Sequence, residues 1–203
     1  MTGRATIDFY YGLGSRYSYL AATQIAALEA ETGCRVAWHP IDSRALIPRG
    51  GGDPFDGSVI SGQYDWAYRR NDAESWAAFY GVPYNEPNFD DYLPAELARA
   101  ASAAKRLGAV VPYSHALFRK VFVDGGVIDE AVYARLAADV GIDRDAFAAT
   151  LADATLDAEL AATVDAVQAR GAFGVPTFLA GDRLFWGNDR LVLLRHHLRE
   201  TDA

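Results

Sequence analysis

Ile7-Asp8-Phe9-Tyr10-Tyr11-Gly12-Leu13-Gly14-Ser15 is the stretch on which the fold turns. Its aromatic first half is a short strand, because bulky flat side chains suit a pleated surface. Gly12-Leu13-Gly14 then forms a turn, and Ser15 is a good N-cap for whatever follows. From Arg16 to about Thr32 the apolar residues Tyr19, Leu20, Ala22, Ile25, Ala26 and Leu28 recur at helical spacing, and Gly33 is a stop signal. Residues 34–39, Cys-Arg-Val-Ala-Trp-His, are a second strand. A strand, one helix and a second strand in that order build a parallel pair.

Outward from this unit the pattern changes. Residues 48–62 hold a glycine run with Asp53-Pro54 and are read as a loop of the kind that borders a site. From Gln63 to about Ala169 the pattern is helical, with breaks at Gly81-Val82-Pro83, near Asn88 and Pro94, at Gly108, at Gly125-Gly126 and at Gly141. About five helices are expected there, with no strand. The strand pattern returns in Pro176-Thr177-Phe178-Leu179-Ala180, which Gly181-Asp182 turns back into Arg183-Leu184-Phe185-Trp186. Asn188 is expected to cap a last helix from Asp189 to about Arg199. The string β-α-β, helical block, β-β-α is that of an α/β thioredoxin fold with a large all-α insertion. Residues 1–62 and 170–203 are expected to form the thioredoxin-like domain, and 63–169 the inserted helical domain.

Composition narrows the function. The 203 residues carry a formal charge of −8, which argues against a nucleic-acid binder because that needs a basic face. With one cysteine, Cys34, the chain can form no internal disulfide and no cysteine-rich zinc site, and His39, His115 and His196-His197 lack metal-ligand spacing. No metal is expected. Asp8 interrupts the only apolar stretch near the N-terminus, and no run reaches membrane-spanning length, so a cytoplasmic address and no membrane partner are expected.

Three motifs carry a resemblance. They are Asp8-Phe9-Tyr10-Tyr11-Gly12-Leu13-Gly14-Ser15-Arg16-Tyr17-Ser18-Tyr19-Leu20-Ala21, then Gly171-Ala172-Phe173-Gly174-Val175-Pro176-Thr177-Phe178, then Leu184-Phe185-Trp186-Gly187-Asn188-Asp189-Arg190-Leu191. In residue type, order and spacing the chain resembles the 2-hydroxychromene-2-carboxylate isomerases and kappa-class glutathione transferases, of the DsbA-like branch of the thioredoxin fold. The resemblance implies that Ser15 occupies the place of a redox relative's cysteine and donates to the sulfur of a bound thiol, glutathione or another of low molecular weight. It implies a cis bond before Pro176. Val175 would pair with the thiol's peptide backbone, and Asn188, Asp189 and Arg190 would hold its γ-glutamyl end. Trp186 is expected to pack in the core beneath that loop.

The substrate side departs from the family pattern. Arg16 replaces the family's proline after the serine, and can face the thiolate, a substrate carboxylate or water. The family's Tyr-x-x-x-Asp survives as Tyr68 and Asp72, but Asp65 and Ser75 stand where lysine and arginine are usual, and Asp53-Pro54 replaces Asn-Pro. Arg16, Tyr17, Asp53, Tyr68 and Asp72 are the expected substrate-facing residues. The activity implied is isomerisation of an unsaturated aromatic, chromene-type keto acid by reversible thiolate addition, bond rotation and elimination. A thiol S-transferase and a non-catalytic thioredoxin-fold binding protein are the alternatives. The partner is a small aromatic or unsaturated acid, and a homodimer is left open.

Overall fold

The computed structural model describes residues 5–46 and 65–201. The loop expected over 48–62, with Asp53, lies wholly outside them. Strand β1 (Thr6–Tyr11) is central, pairing in parallel with β2 (Arg35–Pro40) and antiparallel with β3 (Thr177–Ala180). The turn at Gly181 sends β3 back into β4 (Arg183–Trp186), giving the order β2-β1-β3-β4. The period of two in β1 is the organising feature. Ile7, Phe9 and Tyr11 are buried on one face, where Phe9 stacks on Tyr11 and Phe178 at 4.8 and 4.7 Å and meets the edge of Trp38. Asp8 and Tyr10 point to the other face.

The expected first helix is two: α1 (Arg16–Ala22) and α2 (Ile25–Thr32). The Thr23 hydroxyl bonds back to Leu20 O at 2.6 Å and Gln24 N–H donates to Ala21 O, so the last turn tightens and the chain re-enters at a new angle. Gly33, at φ 69°, ends α2 as expected. Between β2 and β3 the described helices are six: α3 (Trp66–Tyr80), α4 (Pro94–Arg106), α5 (Val110–Arg119), α6 (Glu130–Asp139), α7 (Arg144–Ala152) and α8 (Thr155–Ala169). Five are amphipathic on a common core. Ala98, Ala100, Ala101, Ala103 and Ala104 are fully buried on α4, where only a methyl side chain allows close helix approach. Helix α8 instead covers the opposite sheet face, with Val164 and Val167 against Leu179, Ile41 and Leu46.

The α7–α8 junction supplies a pH prediction. The Asp153 carboxylate accepts from the Thr155 N–H and hydroxyl and pairs with Arg106 at 2.7 Å, and these three interactions hold it at about 2. A carboxylate lowered by folding adds stability above its unfolded value of 3.8, and loses it as pH falls through the folded one. Asp153→Asn is expected to melt below the parent at neutral pH, the gap closing between pH 4 and 2. Parallel thermal melts across that range check it; a constant gap would rule it out.

Candidate active site

The site is built where β1 and β3 run out of each other. Their register ends at Tyr10↔Thr177, so Gly12 and the Val175-Pro176 peptide lie just past the paired strands, and that peptide is cis. A Cβ placed on Gly12 would come within 3.4 Å of the Val175 side chain and 2.9 Å of Ser43 Oγ, so the turn after β1 must be bare here. Ser15 N–H closes the turn on Gly12 O, and Ser15 caps α1. Its Oγ accepts the Ser18 N–H at 3.2 Å, which leaves the hydroxyl proton available to another acceptor.

The loop after β4 completes this side. Gly187 N–H donates to Pro176 O at 2.9 Å, tying the two loops together. Asn188 was expected to be a helix cap; it is instead the first residue of a 3-10 turn, Asn188–Arg190, that leads into α9 (Leu191–Thr201). Gly187, at φ 108°, takes the cap position, and the buried Asn188 is freed for another use. Its O accepts the Tyr80 hydroxyl, while its Nδ2 has no hydrogen-bond partner among the described residues. Asp189 pairs with Arg190 at 2.8 Å. Trp186 is not core. It is 42% exposed, lies against Phe173, and presses on Gly174 so closely that a Cβ there would be 2.6 Å from its Nε1.

The other side of Ser15 is a charged and aromatic cluster. Arg16 does not point to water: it is 4% exposed, and its Nη2 pairs with Glu86 Oε1. The other Glu86 oxygen accepts the Tyr84 hydroxyl, whose pKa is raised by burial and by that bond. The Arg16 guanidinium lies 5.1 Å from the Trp66 ring centre and 5.4 Å from that of Phe89. Tyr17 donates to Asp72 at 2.8 Å, which brings two expected substrate-side residues together. Burial, then this bond, pushes the Tyr17 pKa up. Arg69 lies over the Tyr17 and Trp66 rings. Tyr68 is 55% exposed on α3, one turn before Asp72. Asp65 is the N-cap of α3, bonding Ala67 N–H at 2.6 Å.

Glu86, Tyr84, Tyr92 and Arg69 were not singled out from the sequence. The first three fall in the segment between α3 and α4, where no periodicity marks them. On the opposite sheet face a groove of about 630 Å³ runs between Tyr10, His39, Lys105 and α8, and contains none of the expected site residues. There His39 bridges Asp8 and Lys105 at 2.9 Å each, and burial lowers its pKa.

A family model, the DSBA-like thioredoxin domain, matches residues 6–199. The 2-hydroxychromene-2-carboxylate isomerase of Sphingobium xenophagum is 31% identical over 195 residues, 95% of this chain and 97% of that protein. The chain belongs to that isomerase family. A solved 2-hydroxychromene-2-carboxylate isomerase superposes with a TM-score of 0.82 at 25% identity, over 97% of this chain and 95% of that one. The cytosolic disulfide reductase DsbM of Pseudomonas aeruginosa, solved with GSH, has the same fold (TM-score 0.61, 23% identity, 96% of this chain and 99% of that one). Family membership makes the chain an enzyme, an isomerase within the DsbA-like thioredoxin fold. No helix among the described residues is long and apolar enough to cross a membrane.

Proposed function

We propose that this isomerase is thiol-dependent, with glutathione or another small thiol as cofactor and an aromatic or conjugated keto acid of the chromene-carboxylate type as substrate. The observation that carries the reading is Ser15. It caps α1 three residues after Gly12, the turn residue whose Cβ position lies 3.4 Å from the side chain of Val175 in the cis Val175-Pro176 peptide, and its Oγ accepts the Ser18 N–H, which leaves the hydroxyl proton for another acceptor. Helix α1 has only 7 residues, so its dipole adds little, and the hydroxyl is the stronger donor to an anion. Cys34, the chain's one cysteine, is buried just before β2, so the site has no thiol of its own for disulfide exchange.

The residues present fit a γ-glutamyl tripeptide. The unpartnered, buried Asn188 Nδ2 is a donor in want of an acceptor, and Asp189 and Arg190 add one charge of each sign for an amino-acid end. Val175, past the end of the paired strand, offers backbone groups for an added extended segment. Such a thiol, when bound, supplies a sulfur nucleophile that adds reversibly to a conjugated carbon and frees a double bond to rotate. Ser15 would hold that sulfur's charge, and Tyr17 with Asp72 would orient the acid substrate. The activity named for the Sphingobium xenophagum relative and the GSH solved with DsbM support this reading. A reducing cytoplasm, where such thiols are kept, belongs to it.

The test is isomerisation of 2-hydroxychromene-2-carboxylate by protein stripped of small thiols. We expect turnover to fall to the uncatalysed rate and to return with added glutathione, the product having the substrate's mass. Full turnover without any thiol would sink the reading. A product heavier by one glutathione would favour the transferase.

A further inference from the structure

The Arg16 cluster has donors that its own neighbours do not use. Arg16 Nη1 and the Tyr92 hydroxyl are both buried, on residues 4% and 6% exposed, and neither has a hydrogen-bond partner among the described residues. An unpaired buried donor is costly, so two on one cluster need a reason. They belong to one place. The Tyr92 ring lies against Gly14, where a Cβ would be 3.0 Å from its Cε2, and its centre is 6.3 Å from that of Phe89, the ring that faces the Arg16 guanidinium. Gly14 and Arg16 are the two neighbours of Ser15. Glu86 occupies only Nη2 of the guanidinium, and Asp72 is engaged by Tyr17.

The cover over these donors is aromatic. Trp66 and Phe89 are 41% and 42% exposed, their ring centres are 5.4 Å apart, and both rings face the Arg16 guanidinium. A planar conjugated acid that slips beneath one ring keeps face contact with the other while its acid group reaches inward. We infer that Arg16 Nη1 and the Tyr92 hydroxyl form the subsite for the carboxylate of the acceptor substrate, with Trp66 and Phe89 clasping its conjugated part. A carboxylate takes two donors at once, and bonds to a charged acceptor are the strong ones. The inference rests on the proposed acid substrate, and assigns specificity for the acid group to Arg16 and Tyr92.

Binding tests it apart from turnover. Cinnamate and cinnamamide share a conjugated ring system and differ in the acid group, so titration calorimetry of each needs neither thiol nor catalysis. Tyr92→Phe removes only an unpartnered hydroxyl and should leave the fold intact by circular dichroism. We expect it to weaken cinnamate about tenfold or more and to leave cinnamamide unchanged. The paired change Arg16→Met with Glu86→Gln, which strands no charge, should abolish the preference for cinnamate. In Ser15→Ala the preference should persist even where turnover fails, which separates this subsite from the thiol reading. Equal binding of cinnamate and cinnamamide by the parent, or unaltered cinnamate binding in Tyr92→Phe, overturns the inference.

Discussion

Ser15→Ala is expected to lower the single-turnover rate by about 10²–10³, the usual cost of removing one donor from a developing anion. Thiol affinity should fall much less, because Val175, Asn188, Asp189 and Arg190 supply most of the proposed contacts. The serine also caps α1, with Oγ on the Ser18 N–H, and an alanine there loses about 0.5–2 kcal/mol of stability. The two effects separate in Ser15→Gly, since glycine is tolerated at an N-cap at a cost of a few tenths of a kcal/mol but has no hydroxyl. Alanine and glycine variants should therefore be about equally slow while differing in melting temperature. Ser15→Cys should place a protein thiol at the head of α1 and form mixed disulfides with glutathione, seen as added mass. Rates that track melting temperature across the three variants, with no drop in the glycine form, would reduce Ser15 to a helix cap.

What the sequence discloses, and what it hides, follows from the range of the interactions involved. The order β1, helix, β2, helices, hairpin, helix was readable because Ile7, Phe9 and Tyr11 repeat every second residue and α4 buries one continuous stripe. Those are local signals. The break at Thr23-Gln24 was missed because a hydroxyl bonding back to Leu20 competes with a helical pattern that carries on either side. Trp186 was expected in the core beneath the Asn188–Arg190 loop, yet its ring lies against Gly174 and Phe173 at the surface. The division into domains 1–62 with 170–203, and 63–169, stays a proposal, as do the roles of the site residues. On the substrate side, Tyr17 and Asp72 were both singled out, but nothing in their spacing of 55 residues foretold the bond between them. Arg16 is the sharper case. A charged residue defaults to solvent, and only its partner Glu86, 70 positions away in a stretch without periodicity, brings it inside.

That partnership sets the second large effect. Arg16→Met is expected to cost about 3–5 kcal/mol of folding stability, because it strands the Glu86 carboxylate, 13% exposed, with the Tyr84 hydroxyl as its remaining side-chain donor among the described residues. Methionine retains much of the side-chain volume beneath Trp66 and Phe89 and loses the charge–ring contacts, about 0.5–2 kcal/mol of the total. Glu86→Gln alone is expected to be costly as well, since it leaves the Arg16 charge buried. The double change leaves two neutral groups of nearly the original shape, and most of the loss should return, as it does when buried ion pairs are replaced together. Urea unfolding of the parent, both single variants and the double gives the coupling, expected at about 2 kcal/mol or more between residues in contact. Added salt should hardly alter it, because a pair this buried is poorly screened. Strictly additive single losses would mean that Arg16 and Glu86 do not depend on each other. The guanidinium would then be held by Trp66 and Phe89, and Glu86 would be free to be replaced without consequence for Arg16.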